Sequence, residues 1–465
     1  MMDTVIKRWY DLISIDSVDG HEINAANYVA EVLRGMGIEP HYSYFPDDKE
    51  RQRPSVWCEL DSGKPGKTML LIGHIDTVAV NLKNWNTNPF KPTEIGDKVY
   101  GRGAMDMKGG LADILCTLEY FANHKDEFSG KLVGCFVSDE EILSKGTYQL
   151  VDEDNIHADY AIMAECRYDN VAVGFRGRLS FEVIVHGRAG HTCRYPESGE
   201  NAIILAGKMA EAIEALPTAT HPKLEKGTWC VRYIEGGTTA TLTVPDTVLL
   251  FLDRYVVPGE NEESCLKQLT EAADKLGLKD KVEVRLKPRS SPYMKSFAIP
   301  EDHELVLALQ DSFTEVTGEK LPCAYDPSVC DSNILAVSLG IPVVTFGPSG
   351  GNMHGDNEYG YPYLPHHEII PRRCLEKTMR VLLVEDDEMI GEAVVDGLKS
   401  EGYAVDWVKD GGSATIALDT TSFGIVILDL GLPGKDGLNV LKDMRRKKNH
   451  TPVLITTARD TVNDK

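Results

Sequence analysis

Short apolar runs recur along the first three quarters of the chain, and each stops at a histidine or a carboxylate. Met69–Ile72 halts at a glycine and is followed by His74 and Asp76. The run from Lys131 to Val137 ends in Ser138-Asp139-Glu140-Glu141, and the run from Asp159 to Ala164 ends at Glu165. A fourth, Ile341 to Phe346, leads into a glycine-rich loop that carries His354. Continuous apolar runs of this length read as strands buried on both faces, as in a parallel sheet. Ligands of such sheets sit beyond the carboxyl ends of the strands. Between them the apolar period changes to that of helices. Val5, Ile6, Trp9, Leu12 and Ile13 line one helix, capped by Asp3; Ile23, Ala26, Val29, Val32, Leu33 and Met36 line a second, closed by Gly37. A third, from Lys108 to about Ala122, buries Leu111, Ile114, Leu115, Leu118 and Phe121, and Asp106 stands just before it. A strand is expected over Ser55–Leu60, and the polar loop from Ala79 to Glu94 is long enough to be functional. Strand and helix in alternation are the α/β signature.

The pattern changes twice. From Leu179, apolar Leu179, Phe181, Val183 and Val185 alternate with polar residues, as in a strand with one wet face. Helices over about Asn201–Leu216 and Glu262–Leu276, with strands at Trp229–Tyr233, Val248–Val256 and Val282–Leu286, complete an α+β insert of split-βαβ type. A helix from Asp302 to Val316, stopped by Gly318, resumes the first domain. At Met379 about four βα units begin, with no Gly/Ser/Pro linker before them. The predicted domains are 1–177 with 294–378, an insert over 178–293, and 379–465.

Composition narrows the function classes. The chain has 465 residues, 42% apolar, enough for two or three globular domains. A formal charge of −23 argues against nucleic acid as a partner, since phosphate binding needs a basic face. The N-terminus lacks the apolar core of a signal peptide, and no run approaches the roughly 18 apolar residues of a membrane span. Ten cysteines without a CxxC pair point to reduced thiols in a cytoplasmic protein.

Two divalent ions about 3.5–4 Å apart need a shared carboxylate and terminal ligands on each side. His74 and Glu165 can hold one ion, Glu141 and His354 the other, with Asp106 bridging. Nitrogen and oxygen donors without thiolate suit two Zn²⁺, with Co²⁺ or Mn²⁺ as competitors. Glu140 is left over, and a carboxylate beside a ligand is suited to take a proton from metal-activated water. Asp76 is expected to hold the far nitrogen of His74.

The motifs GHIDTV, GRGAMDMKGG, SDEE, Glu165, GRAGHT and NMHGDNE together resemble the zinc amidohydrolase/peptidase family of acetylornithine deacetylase, succinyl-diaminopimelate desuccinylase and carboxypeptidase G, over about residues 1–375. The resemblance implies a mixed-sheet dinuclear metallohydrolase domain with an inserted lid that also makes a homodimer. It implies Asp106 as bridge, Glu140 as general base and a cis peptide after Asp106. His191 matches a lid histidine that reaches the partner subunit's site and steadies the oxyanion, against the alternative of an exposed loop histidine. Asn201 lies in a neighbouring segment that also fits, as a substrate contact. Arg254 matches an arginine that binds a substrate carboxylate, with a strand-end ion pair as the alternative. Thr238-Thr-Ala-Thr-Leu-Thr-Val-Pro245 stands where family members often carry a substrate-binding Asn, a departure that leaves the substrate class open more than the hydrolysis.

Residues 379–465 resemble the receiver domain of bacterial response regulators through VLLVEDD, VILDLGLPGKDG and PVLITTARD. The resemblance implies an incomplete doubly wound α/β domain, with Asp429 as phosphoacceptor, Asp386 and Asp387 as Mg²⁺ ligands, Thr457 as the switch hydroxyl and a histidine kinase as partner. The family's next strand, with its lysine, does not follow, which leaves Pro452–Thr456 as an apolar edge and suggests a remnant joined in frame at Met379. The leading expectation is hydrolysis of an amide bond in an N-acyl amino acid or short peptide. The alternatives are a phosphorylation-gated signalling protein with the hydrolase as output, and a scaffold with a dead site.

Overall fold

The computed structural model describes residues 2–166, 169–362, 380–400, 403–421, 423–447 and 449–456. They divide into two compact units, Met1–Ser62 with Lys67–Leu375, and Gly63–Gly66 with Glu376–Lys465. No described helix is long and apolar enough to cross a membrane.

The first unit is organised on a nine-stranded mixed sheet. The four apolar runs form four adjacent strands, in the order Lys131–Val137, Thr68–His74, Tyr160–Met163 and Val343–Thr345, every neighbouring pair parallel. Their polar ends therefore lie along one edge, which is what gathers the candidate ligands. Antiparallel strands flank them: Gln52–Asp61 and His41–Pro46 on one side, Val171–Phe175 and Phe297–Ala298 on the other. Strand His41–Pro46 was not anticipated; only Ser43 and Phe45 of it are buried, too few to mark a period.

Helices Met2–Ile13, Ile23–Gly35, Lys108–Asn123 and Glu304–Thr317 bury Leu12, Val29, Leu33, Leu111, Leu115 and Leu309 in one core with Leu70, Ile72, Val133, Phe136 and Ile162 of the sheet. The start of helix Lys108–Asn123 packs against the strand end that precedes Glu165. A Cβ on Gly110 would lie 1.9 Å from the carbonyl oxygen of Ala164. Only glycine permits that approach, so the second glycine of the MKGG segment sets the distance from the Asp106 turn to Glu165.

The insert has its own core and an antiparallel sheet in the order Thr228–Gly236, Thr247–Val256, Gly177–His186, Val282–Leu286, with helices Ala202–Glu214 and Glu262–Lys275 packed against it. This is the split-βαβ arrangement. The expected wet face of Gly177–His186 is partly covered, because Ser180 and Glu182 are buried through bonds to Asp253 and Arg285.

In the second unit, parallel strands Ala404–Val408, Arg380–Val384, Ile425–Asp429 and Val453–Thr456 lie in that order. Helices Glu388–Ser400, Gly411–Thr420 and Gly437–Arg446 complete the doubly wound pattern. Leu454 and Ile455, on the last described strand, are exposed.

Candidate metal centre

His74 ends its strand, Asp106 sits in the turn before helix Lys108–Asn123, and the Asp106–Met107 peptide is cis. The Asp106 carboxylate lies between two imidazoles, with Oδ1 3.0 Å from His74 Nε2 and Oδ2 3.1 Å from His354 Nε2. Glu141 Oε2 is 2.9 Å from His354 Nε2, and Glu165 Oε1 is 3.9 Å from His74 Nε2. Each imidazole thus has one private carboxylate and shares the third. Ligand atoms of His74, Asp106 and Glu141, and those of His74, Glu140 and Glu165, lie within 4.8 Å of one another.

Nδ1 of His74 donates to the backbone carbonyl of Asp76 at 3.0 Å, which leaves Nε2 to face the cluster. The Asp76 carboxylate, expected to make that bond, is farther away at 3.7 Å. It accepts instead from the backbone N–H groups of Glu140 and Glu141, at 3.4 and 3.2 Å. The reason is chain geometry: two residues after the histidine, the main chain has already turned its carbonyl to the ring.

A family model for peptidase family M20/M25/M40 matches residues 70–362, more than half of the chain. The chain belongs to this family. Residues 381–465 match the response regulator receiver domain. A succinyl-diaminopimelate desuccinylase of Colwellia psychrerythraea is 29% identical over 375 residues, which span 76% of this chain and 90% of that protein. The fold resembles a tripeptidase from Staphylococcus aureus, with a TM-score of 0.67 at 20% identity, over 80% of this chain and 97% of the other. It also resembles a dinuclear metal binding peptidase of the M20 family from Bacillus subtilis, with a TM-score of 0.58 at 14% identity, over 80% and 96% of the two chains. This M20 chain is thus a hydrolase of a metal-dependent family, joined to a receiver domain.

The charges of the M20 site fit a bound cation. Burial and the neighbouring Asp106 push Glu165 up to about 8, and burial with Glu165 pushes Glu140 well above the carboxylate range. Burial opposes charge on Asp106 and on His74 too, but hydrogen bonds outweigh it: those from His354 and His74 hold Asp106 below the usual carboxylate range, and that to Asp106 raises His74 well above the usual histidine value. Bonds to Asp106 and Glu141 lift His354 to about 10. Protons stand where positive charge is required, and a divalent pair would displace them. No thiolate competes: Cys166, beside Glu165, donates to the Met105 carbonyl and burial raises its pKa well above normal.

Two supports escaped the sequence reading. Glu358, wholly buried, accepts the N–H groups of Gly103, Met105 and Asp106 at 2.9–3.1 Å and pairs with Arg102, so it holds the Asp106 turn. Its only signal was its place four residues after His354 in NMHGDNE. Arg53, also buried, pairs with Glu22, Asp19 and Asp139. Asp139 has φ 75°, a left-handed conformation, immediately before Glu140.

Other expected residues lie elsewhere. His191 is exposed and does not line the cleft beside Glu140. Asn201 uses its side-chain oxygen to cap helix Ala202–Glu214, through the N–H of Ile203 at 2.9 Å, and does not line the cleft beside Glu140. Arg254 is 0% exposed, bonded to Glu260 and to the carbonyls of Thr228 and Tyr255, so the ion-pair alternative describes it and the carboxylate-binding role does not. In the receiver unit, the clustered carboxylates are Glu385, Asp386 and Asp429. Asp387, expected as a ligand, instead accepts the N–H groups of Met389 and Ile390 at the start of the next helix, where a carboxylate is an effective cap. Thr457 lies outside the described residues.

The two protonation states of His354 give a pH test. Unfolded histidine releases its proton near ~6.5, whereas in the metal-free fold His354 keeps it to about 10. Its contribution to stability is then complete below the unfolded value and is lost as pH rises through the folded one. With EDTA present, the difference in urea midpoint between wild type and His354→Asn should shrink steadily across that window. A difference that stays constant or grows with pH would contradict the charged pair.

Proposed function

We propose that this M20 chain hydrolyses an amide bond in an N-acyl amino acid or short peptide, with Glu140 as general base. The observation that carries this reading is the Asp106 carboxylate set between His74 and His354, with Glu140 alongside. In this assignment His74 and Glu165 would hold one ion, His354 and Glu141 the other, and Asp106 would be shared between them. Zinc suits the donor set, with cobalt or manganese as competitors. Such ions polarise a carbonyl and make water more acidic. Glu140, half-buried and with its proton affinity raised, takes the proton from attacking water and passes it to the leaving amine. Asp76 keeps Glu140 and Glu141 in place through their backbone N–H groups. The cleft is small, about 200 Å³, and Glu140, Glu141, Ser144, Tyr255, Ser328 and His354 line it. Drug-sized pockets start near ~300 Å³, so a small substrate is favoured. The desuccinylase among the relatives supports acyl-amino-acid chemistry. All nine described cysteines are free, in keeping with a cytoplasmic location.

We further propose a homodimer through the lid, in which His191 serves the partner's cleft and steadies the oxyanion. Strand Thr228–Gly236 ends the lid sheet, and Tyr233 and Ile234 on it, with Ile203 and Ile204 on the adjoining helix, are exposed. An apolar patch on an edge strand suits a two-fold partner. For the receiver unit we propose phosphorylation of Asp429 by a histidine kinase, assisted by Mg²⁺ held by Glu385, Asp386 and Asp429.

Glu140→Ala should cut kcat by about 10²–10⁴-fold while mass spectrometry still counts two metals per chain; near-normal turnover would remove Glu140 from the base role. Tyr233→Glu with Ile204→Asp should shift sedimentation from dimer to monomer and reduce kcat, and an unshifted dimer would rule out this face. Radiolabelled acetyl phosphate with Mg²⁺ should mark wild type but not Asp429→Asn. Label on both would exclude Asp429, and a changed hydrolysis rate after labelling would favour the gated reading.

A further inference from the structure

Three arginines of the lid and its hinge stand near the cleft or next to a residue that lines it, and they differ in how their charge is met. Arg254 is enclosed and paired with Glu260. Arg178 lines the cleft, but its guanidinium reaches both carboxylate oxygens of Asp253, at 3.2 and 3.1 Å. Arg289 lines the cleft too and has no carboxylate partner among the described residues. Its Nη2 donates to the Leu143 carbonyl at 3.1 Å and to Ser291 Oγ at 2.6 Å, and Nε donates to the same hydroxyl at 3.2 Å. The Tyr293 ring lies 4.9 Å from the guanidinium carbon. Nη1 bonds no described residue.

Arg289 is half-buried, and even a partly desolvated cation without a bonded counter-ion is costly. The cost is visible in the pKa of Arg289, which burial draws below the usual arginine value. A carboxylate placed against the guanidinium would offset that cost through charge-assisted hydrogen bonds. Its position is also tied to the chemistry. Leu143 is two residues beyond Glu141, and Ser291 Oγ donates to the same Leu143 carbonyl at 2.6 Å. The guanidinium is thus fixed to the loop that carries Glu140 and Glu141, and it lines the same cleft as His354.

We propose that Arg289 binds the free carboxylate of the substrate and so selects N-acyl amino acids or peptides over their neutral amides. This rests on the hydrolase reading of the cleft. A guanidinium receives a carboxylate through parallel N–H bonds, which sets the distance from that anion to the scissile carbonyl. Arg289 is then the specificity-determining arginine, in place of Arg254.

The test compares N-acetyl amino acids with their carboxamides on the zinc-loaded full chain. Wild type should prefer the acid, and Arg289→Ala should lower the acid-to-amide ratio of kcat/KM about 10- to 100-fold, mainly through KM. Arg289→Lys should recover part of the preference and serves as the judge if the alanine variant does not fold. Loss of rate on both substrates with an unchanged ratio would show that Arg289 only braces the Leu143 loop, and would overturn the proposal. If wild type hydrolyses neither substrate, the hydrolase reading fails, and calorimetric titration with N-acetyl amino acid then decides Arg289 separately. Binding by wild type that Arg289→Ala abolishes supports it. Equal binding by both, or none by wild type, overturns it.

Discussion

The shared Asp106 carboxylate is the constraint on which the M20 unit depends. One side chain must meet His74 and His354, residues 280 positions apart, at 3.0 and 3.1 Å. Both histidines and the three glutamates come from parallel strand ends or the loops that follow them, so the sheet order decides whether the set can assemble. The surrounding structure keeps Asp106 still. Glu358 takes up the N–H groups of its turn, and Gly110 lets the following helix rest on the Ala164 carbonyl. A buried anionic group is held in place only by partners that are themselves fixed.

The same requirement explains the charged residues behind the SDEE loop. Arg53, enclosed and bonded to Glu22 and Asp19, also reaches Asp139, whose left-handed backbone immediately precedes Glu140 and Glu141. Asp76 meets the next two N–H groups. Within this network Asp76 also meets an imidazole directly, its carbonyl accepting from His74 Nδ1, while Arg53 acts through the loop that carries Glu140. Arg289 donates to the Leu143 carbonyl of the same loop, so the roles proposed for Arg289 and Glu140 would share one piece of main chain.

Several side chains with the right chemistry are committed to local bonds. Asn201 and Asp387 cap helices, and Arg254 pairs with Glu260. A cap satisfies backbone donors that would otherwise be buried without partners, and this local demand outweighs a role at a distance. Glu385 was passed over for the opposite reason: one residue nearer the strand end, it remains beside Asp386 and Asp429 when Asp387 turns away to the helix.

Sequence alone determined the elements and the ligand types. Four apolar runs ending in His, Asp or Glu announce buried strands with a site at their ends, because period and termination are local properties of the chain. The split-βαβ insert and the receiver unit were legible on the same grounds. Tertiary structure decided which polar atoms are free to act. That Glu358 and Arg53 carry the scaffold, and that Arg289 rather than Arg254 faces the cleft, depend on contacts between residues far apart in sequence. A side chain's availability is what remains after its neighbours have been satisfied, and only the folded chain specifies those neighbours.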